Sequence, residues 1–160
     1  MKLAKLLSAD QIILDLKAVE HWPAITELVD HLVRIQLLAD GQRAPILAAL
    51  KAREDQVSTG IGVGVAIPHT FSDDLDEVLA IFGRSQTGLD FEALDQAPVH
   101  FIILFIVPSK DYHLHLRTLA AIAKMFTNSE IRRRLGLATT AHEILAILDP
   151  KPSRVAVPSG

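Results

Sequence analysis

The sequence predicts an α/β sandwich, a mixed β-sheet flanked by helices, and three observations carry that expectation. Apolar residues recur at helical spacing in residues 24–38 and again after residue 112. Between them, residues 99–107 (VHFIILFIV) are almost continuously apolar, as a central strand covered on both faces requires. Helical segments therefore lie before and after the apolar strands, the order expected of an α/β fold.

Each element follows from local sequence. In residues 24–38 one face carries Ile25, Leu28, Val29, Leu32, Ile35 and Leu38. Pro23 falls near the first turn, where a missing N–H costs least, and Asp40-Gly41 is expected to end this helix. A second helix is expected over about 44–54, beginning near Pro45. VSTGIG and VAIP are β-branched and glycine-punctuated, which predicts short strands. Residues 78–83 (VLAIFG) and 99–107 read as buried strands, the second closed by Pro108. From Tyr112 to Phe126 a helix places His115, Leu119, Ile122 and Phe126 on one face. Shorter helices are expected at 129–135 and 140–148, the second opened by Thr140. Residues 1–149 are expected to form one domain and residues 150–160, proline-bearing and without pattern, a flexible tail.

Composition narrows the function classes. Of 160 residues 49% are apolar and 22% charged, well outside the disordered range. A net charge of -3 argues against a general nucleic-acid binder. No apolar run approaches the ~20 residues that span a bilayer, and Asp10 interrupts the brief apolar start, so neither a signal peptide nor membrane insertion is expected. The chain has no cysteine, which removes disulfides, thiolate metal sites and cysteine nucleophiles. A soluble cytoplasmic protein is expected.

Residues 59–70 read TGIGVGVAIPHT. Gly60, Gly62 and Gly64 permit positive φ and close backbone approach, so they suit a tight anion-accepting turn. Glycines in a strand also mark bulges or close packing, and both readings stand at this point. The spacing matches neither a P-loop nor the dinucleotide fingerprint, since VAIP rather than a helix follows. His69 comes directly after Pro68, whose fixed φ stiffens the backbone that aims the ring. A hydrogen bond on one imidazole nitrogen leaves the other free as a nucleophile, although an isolated turn histidine is more often only polar.

Two further residues give His69 a context. Arg53, sixteen positions earlier near the end of the second helix, carries the guanidinium fork that suits phosphoryl oxygens; a cation at a helix C-terminus needs no function, however. His115 lies on the apolar face of its helix and is expected to point inward, either towards a pocket or onto a backbone carbonyl. His113 and His115 raise the idea of a metal site, but on a helix residues i and i+2 diverge, so no metal site is expected. Ser58 and Thr59 are possible hydroxyl donors. The acidic stretch around Asp73, Asp74, Asp76 and Glu77 reads as a solvated loop, and Arg132-Arg133-Arg134 as a helix end or, secondarily, a docking surface for an acidic partner.

REDQVSTGIGVGVAIPHT strongly resembles the active-site segment of the enzyme IIA proteins of the bacterial phosphoenolpyruvate-dependent phosphotransferase system. The branch is the fructose- and mannitol-type one, which includes the nitrogen-regulatory IIA proteins. HLRTLAAIAKMF, from His115, resembles the second motif of that family. The likeness runs from LLSADQIILDLKA to AHEILAIL, and it implies the fructose/mannitol-type IIA fold. It implies that His69 is the phosphorylated histidine, Arg53 the arginine beside the phosphoryl group and His115 the second active-site histidine. Thr70 stands where the familiar motif has Gly or Ala. The mechanism implied is transfer from the phosphocarrier HPr, or its nitrogen-branch counterpart, to His69, with Arg53, His115 and backbone N–H groups around Gly60, Gly62 and Gly64 balancing charge. No cofactor, metal or nucleotide is implied, and the protein would be a stoichiometric carrier.

Two functions are expected on this basis. In the first reading, the phosphorylation state of His69 acts on partner proteins, as in the nitrogen-regulatory branch; a free-standing chain of this length leans that way. In the second, the group passes to a fructose/mannitol-type IIB domain that serves a sugar transporter.

Overall fold

The computed structural model describes residues 3–56, 60–91 and 97–149. Ser58, Thr59 and the tail over 150–160 lie outside the described residues. Among the described residues six strands form one mixed sheet: β1 (Ile12–Ile13), β2 (Gly60–Gly62), β3 (Val65–Ala66), β4 (His69–Ser72), β5 (Leu79–Leu89) and β6 (Val99–Pro108). The spatial order is β1-β5-β6-β3-β2, with β4 also paired to β6. β5 runs antiparallel to β6, whereas β1 on β5, and β3 and β4 on β6, are parallel. Residues β3 and β4 therefore lie in tandem along one edge of β6, separated only by Ile67 and Pro68.

Among the described residues six α-helices cover the sheet: α1 (Leu3–Leu6), α2 (His21–Arg34), α3 (Asp40–Gln56), α4 (Tyr112–Met125), α5 (Ser129–Leu137) and α6 (Ala141–Leu148). The period of two along β6 divides the core. Phe101, Ile103, Phe105 and Val107 face one way and pack with Ile122, Phe126, Leu135, Ile144 and Leu148 from α4–α6. Ile102, Leu104 and Ile106 face the other and pack with Ile25, Leu28 and Leu32 of α2 and Leu50 of α3. The continuous apolar run of β6 is thus a two-sided core strand, and the α/β/α layering expected from the sequence is the fold.

Local chemistry accounts for the differences from expectation. α2 ends at Arg34, and Asp40-Gly41 opens α3 instead of closing α2. Gln36 leaves the helix at φ 65°, and the Gln42 side chain accepts the Ala39 N–H at 2.9 Å while its own N–H bonds the Ala39 carbonyl, a reciprocal cap that starts α3. Pro45 consequently sits inside α3, not at its start. β5 continues past Gly83 to Leu89, and α1, β1 and β4 are elements that periodicity did not predict. The shorter helices fall where expected: the Thr140 side chain accepts the Glu143 N–H at 3.1 Å as the N-cap of α6.

Candidate active site

His69 is the first residue of β4, where Pro68 releases the chain from β3. It pairs with Phe105, while the Pro68 carbonyl accepts the Phe105 N–H at 3.0 Å. By register His69 shares the sheet face of Phe105, the face covered by α4–α6. Among the described residues β4 has no strand on its other side, so the ring stands at an open edge of the sheet. Thr70, buried behind it, pairs with Ile106 as an ordinary β-branched strand residue.

The ring is oriented by the chain itself. His69 Nδ1 lies 2.8 Å from the Ile67 carbonyl oxygen. A carbonyl can only accept, so Nδ1 carries the proton and Nε2 presents its lone pair. Burial holds the pKa of His69 below its ordinary value of 6.5, opposed by the Ile67 bond; Arg53 lowers it further and Glu54 raises it. The neutral imidazole is therefore the resting form at neutral pH. The edge of Phe71 faces the ring at 6.3 Å, and Phe71 in turn meets Tyr112 at 4.7 Å.

Arg53 lies in the last turn of α3, exposed, and its charge acts on His69. His115 is 5% exposed on α4, one turn beyond Tyr112 on the same side of the helix. The Phe71–Tyr112 contact brings that side of α4 to β4. His113, two residues earlier, is exposed, so the two histidines of DYHLHL do not converge.

The three glycines separate. Gly60 pairs with Ala66, and Gly62 with Val65, across a hairpin whose tip is Val63 and Gly64. Gly62 and Gly64 have φ of 88° and 80°. The Gly64 carbonyl accepts from the N–H groups of His100 and Phe101, whereas His69 lies opposite Phe105. At about 3.3 Å per strand residue, Gly64 is roughly 13–17 Å from His69 along β6. Gly62 and Gly64 are thus not brought to His69, because antiparallel β2 carries the chain away from it; Gly60 remains on the nearer side.

Glu54 is a residue that sequence reasoning missed. It is 8% exposed, one position after Arg53, and its Oε2 lies 3.0 Å from His21 Nε2, an ion-pair distance off the line of a hydrogen bond. The contact ties the first residue of α2 to the last turn of α3, with the His21 ring centred 3.8 Å from Phe91.

Residues 5–151 match the family model for the phosphoenolpyruvate-dependent sugar phosphotransferase system, EIIA 2. The chain belongs to that family, and it is an EIIA component of phosphoryl transfer. It is 33% identical over 149 residues to the fructose-specific EIIABC component of Bacillus subtilis, covering 93% of this chain but only 23% of that protein. It is 30% identical over 156 residues to the nitrogen regulatory protein of Bradyrhizobium diazoefficiens, covering 98% of this chain and 100% of that one. Among solved structures, the nitrogen regulatory protein IIA-Ntr of Neisseria meningitidis superimposes with a TM-score of 0.84 at 31% identity, covering 92% and 99% of the two chains. Among the described residues no helix is long and apolar enough to cross a membrane.

Proposed function

We propose that His69 accepts a phosphoryl group on Nε2 from the phosphohistidine of HPr or its nitrogen-branch counterpart, and that its phosphorylation state governs the binding of partner proteins. The observation that carries the chemistry is the Nδ1 contact with the Ile67 carbonyl at 2.8 Å, which fixes the tautomer and leaves Nε2 as the nucleophile. As the bond from Nε2 to phosphorus forms, the donor's P–N bond breaks and the donor imidazole leaves with its electron pair. The Nδ1–H stays on the Ile67 carbonyl, which stabilises the positive charge that the ring acquires. Arg53 compensates the phosphoryl oxygens from the end of α3, His115 supports them from α4, and backbone N–H groups near Gly60 supply further donors. Positioning and electrostatics suffice for such a transfer.

The regulatory reading is supported by the extent of the likeness to the Bradyrhizobium and Neisseria proteins, which the chain matches along nearly their whole lengths. A phosphate of about -2 charge added at the half-buried open edge of the sheet is enough to create or disrupt an interface. A second reading, delivery of the phosphoryl group to a fructose/mannitol-type IIB domain, is favoured by the 33% identity to the fructose-specific Bacillus component. Either role belongs in the cytoplasm, where the phosphocarrier would meet it.

Incubation with phosphoenolpyruvate, enzyme I and HPr, followed by intact-mass measurement, tests the proposal. One acid-labile phosphoryl group on the parent and none on His69→Ala is expected. Subsequent loss of that group to a fructose-type IIB domain would favour the second reading, and retention in its presence the first. An unmodified parent, under conditions that phosphorylate a known IIA protein, would sink both.

A further inference from the structure

The far end of β6 holds a second cationic site that the phosphoryl chemistry does not use. A cavity of about 330 Å³ opens there, lined by the hairpin tip Val63-Gly64, by His100, and by Ser129, Arg132 and Arg133 of α5. Buried Arg84 and Ser85 of β5 complete its wall. Among the described residues no carboxylate lines it; Glu130 meets Arg133 at 2.6 Å and the largely exposed Asp15 lies 3.8 Å from Arg84. Among the described residues, three guanidinium groups face two peripheral carboxylates, which makes this lining cationic.

Its donors are incompletely used. Arg132 spends one Nη on the Phe126 carbonyl at 2.7 Å, leaving Nε and the other Nη. Arg133 binds Glu130 through Nε and Nη2, leaving Nη1. His100 repeats the arrangement of His69: Nδ1 lies 2.9 Å from the Ser85 carbonyl, so it donates there and Nε2 is left for another partner. The Cε1–Nε2 edge of the ring lies beside Gly88, where an added Cβ would come within 3.2 Å of Cε1, 3.4 Å of Nε2 and 2.8 Å of Pro98 Cβ.

The hairpin tip adds strain to charge. Val63, a β-branched residue 42% exposed, holds φ at 52° between two glycines of positive φ. Such a residue in the left-handed region is a rare and costly conformation, of the kind that concentrates at ligand-binding loops. Of the three motif glycines, Gly64 thus lies at this cavity and away from His69.

We propose that the cavity binds a small phosphate-bearing anion, a free phosphate monoester, between Arg132, Arg133 and His100 and the Val63-Gly64 tip. Guanidinium forks match phosphate oxygens, the His100 Nδ1 bond to Ser85 leaves Nε2 to meet one, and the volume suits a small metabolite. The site is separate from His69, so it stands or falls independently of the phosphoryl-carrier reading.

A ¹H–¹⁵N NMR titration of the full chain with inorganic phosphate and with glycerol 3-phosphate, against sodium chloride at equal ionic strength, tests this. Saturable shifts are expected at Val63, Gly64, His100 and Ser129 with both probes, larger with the monoester, and unchanged in His69→Ala. Arg132→Gln and, separately, Arg133→Gln should each weaken binding about tenfold, corresponding to about 1.4 kcal/mol. Dispersed spectra verify that each variant is folded, and His100→Asn provides a further variant that leaves the α5 contacts intact. Shifts that do not saturate, that chloride reproduces, or that survive in all three variants would overturn the proposal, as would shifts confined to residues around His69.

Discussion

Arg84 anchors three parts of the chain, and its replacement gives a quantitative test of how the fold is held. The side chain projects from β5 and is 4% exposed. Its Nε donates to the Leu14 carbonyl at 2.9 Å, and Nη1 donates to the carbonyls of Leu135 at 2.9 Å and Ala138 at 2.6 Å. It thus clamps the end of β1 and the C-terminal end of α5 onto the sheet. Arg84→Met keeps most of the apolar stem but leaves two buried carbonyls and one half-buried carbonyl without their donor. At roughly 1–3 kcal/mol for an unsatisfied buried group, and with part of the loss offset by no longer burying a charge, the expected destabilisation is about 3–5 kcal/mol. Asp15→Asn is the control, because Asp15 is 74% exposed and 3.8 Å away; an exposed partner contributes about 0–1 kcal/mol. In urea denaturation with m of about 1.5–2 kcal/mol/M, Arg84→Met should lower the midpoint by about 1.5–3 M and Asp15→Asn by less than about 0.7 M. Comparable losses in the two variants would show that the ion pair, not the carbonyl clamp, carries the energy, and would refute this reasoning.

Other consequences follow from the same geometry. Burial and Arg53 depress the pKa of His69, so the unfolded chain binds its proton first as pH falls below 6.5. The stability tied to the neutral ring is present above that pH and is lost as pH falls through the folded value; His69→Ala should flatten this slope in denaturation curves recorded across the range. Arg53→Gln should raise the His69 pKa and Glu54→Gln should lower it, both read from the imidazole resonances in an NMR titration. If neither variant moves the resonances, the two α3 residues do not act on the ring. Phe105, 1% exposed beneath the site, should cost about 3–5 kcal/mol as Phe105→Ala in thermal or urea unfolding. A loss under about 1 kcal/mol would contradict its place in the core. Thr140→Ala removes the N-cap of α6 and should destabilise by about 1 kcal/mol in the same assay, whereas no change would mean that the cap contributes nothing.

The sequence carried the strong periodic elements because their signal is local. β6 was visible as an unbroken apolar run, α4 as a helix that buries His115 and exposes His113, and Arg53 with His69 as a pair around a glycine-rich segment. What escaped depends on contacts between distant residues. β4 is four residues long, follows a proline and includes a histidine and a serine, so only its pairing with β6 makes it a strand. The glycines were read as one cradle because they share a motif; the direction of the hairpin, set by pairing, sends Gly64 to His100 instead. Arg84 and Glu54 look like solvated charges in sequence, and their burial comes from α5 in one case and from His21 in the other. Asp40-Gly41 resembles a helix stop, and the Gln42 cap that makes it a start is recognisable only once the Ala39 bonds are seen.

The central claim is that Nε2 of His69 is the phosphoryl acceptor because the Ile67 carbonyl occupies Nδ1. Uniform ¹⁵N labelling of the histidines, phosphorylation through enzyme I and HPr, and NMR detection of the nitrogen coupled to ³¹P tests it most directly. The account predicts coupling at Nε2 of His69, with Nδ1 still protonated. Coupling at Nδ1, or at any other histidine, would contradict it.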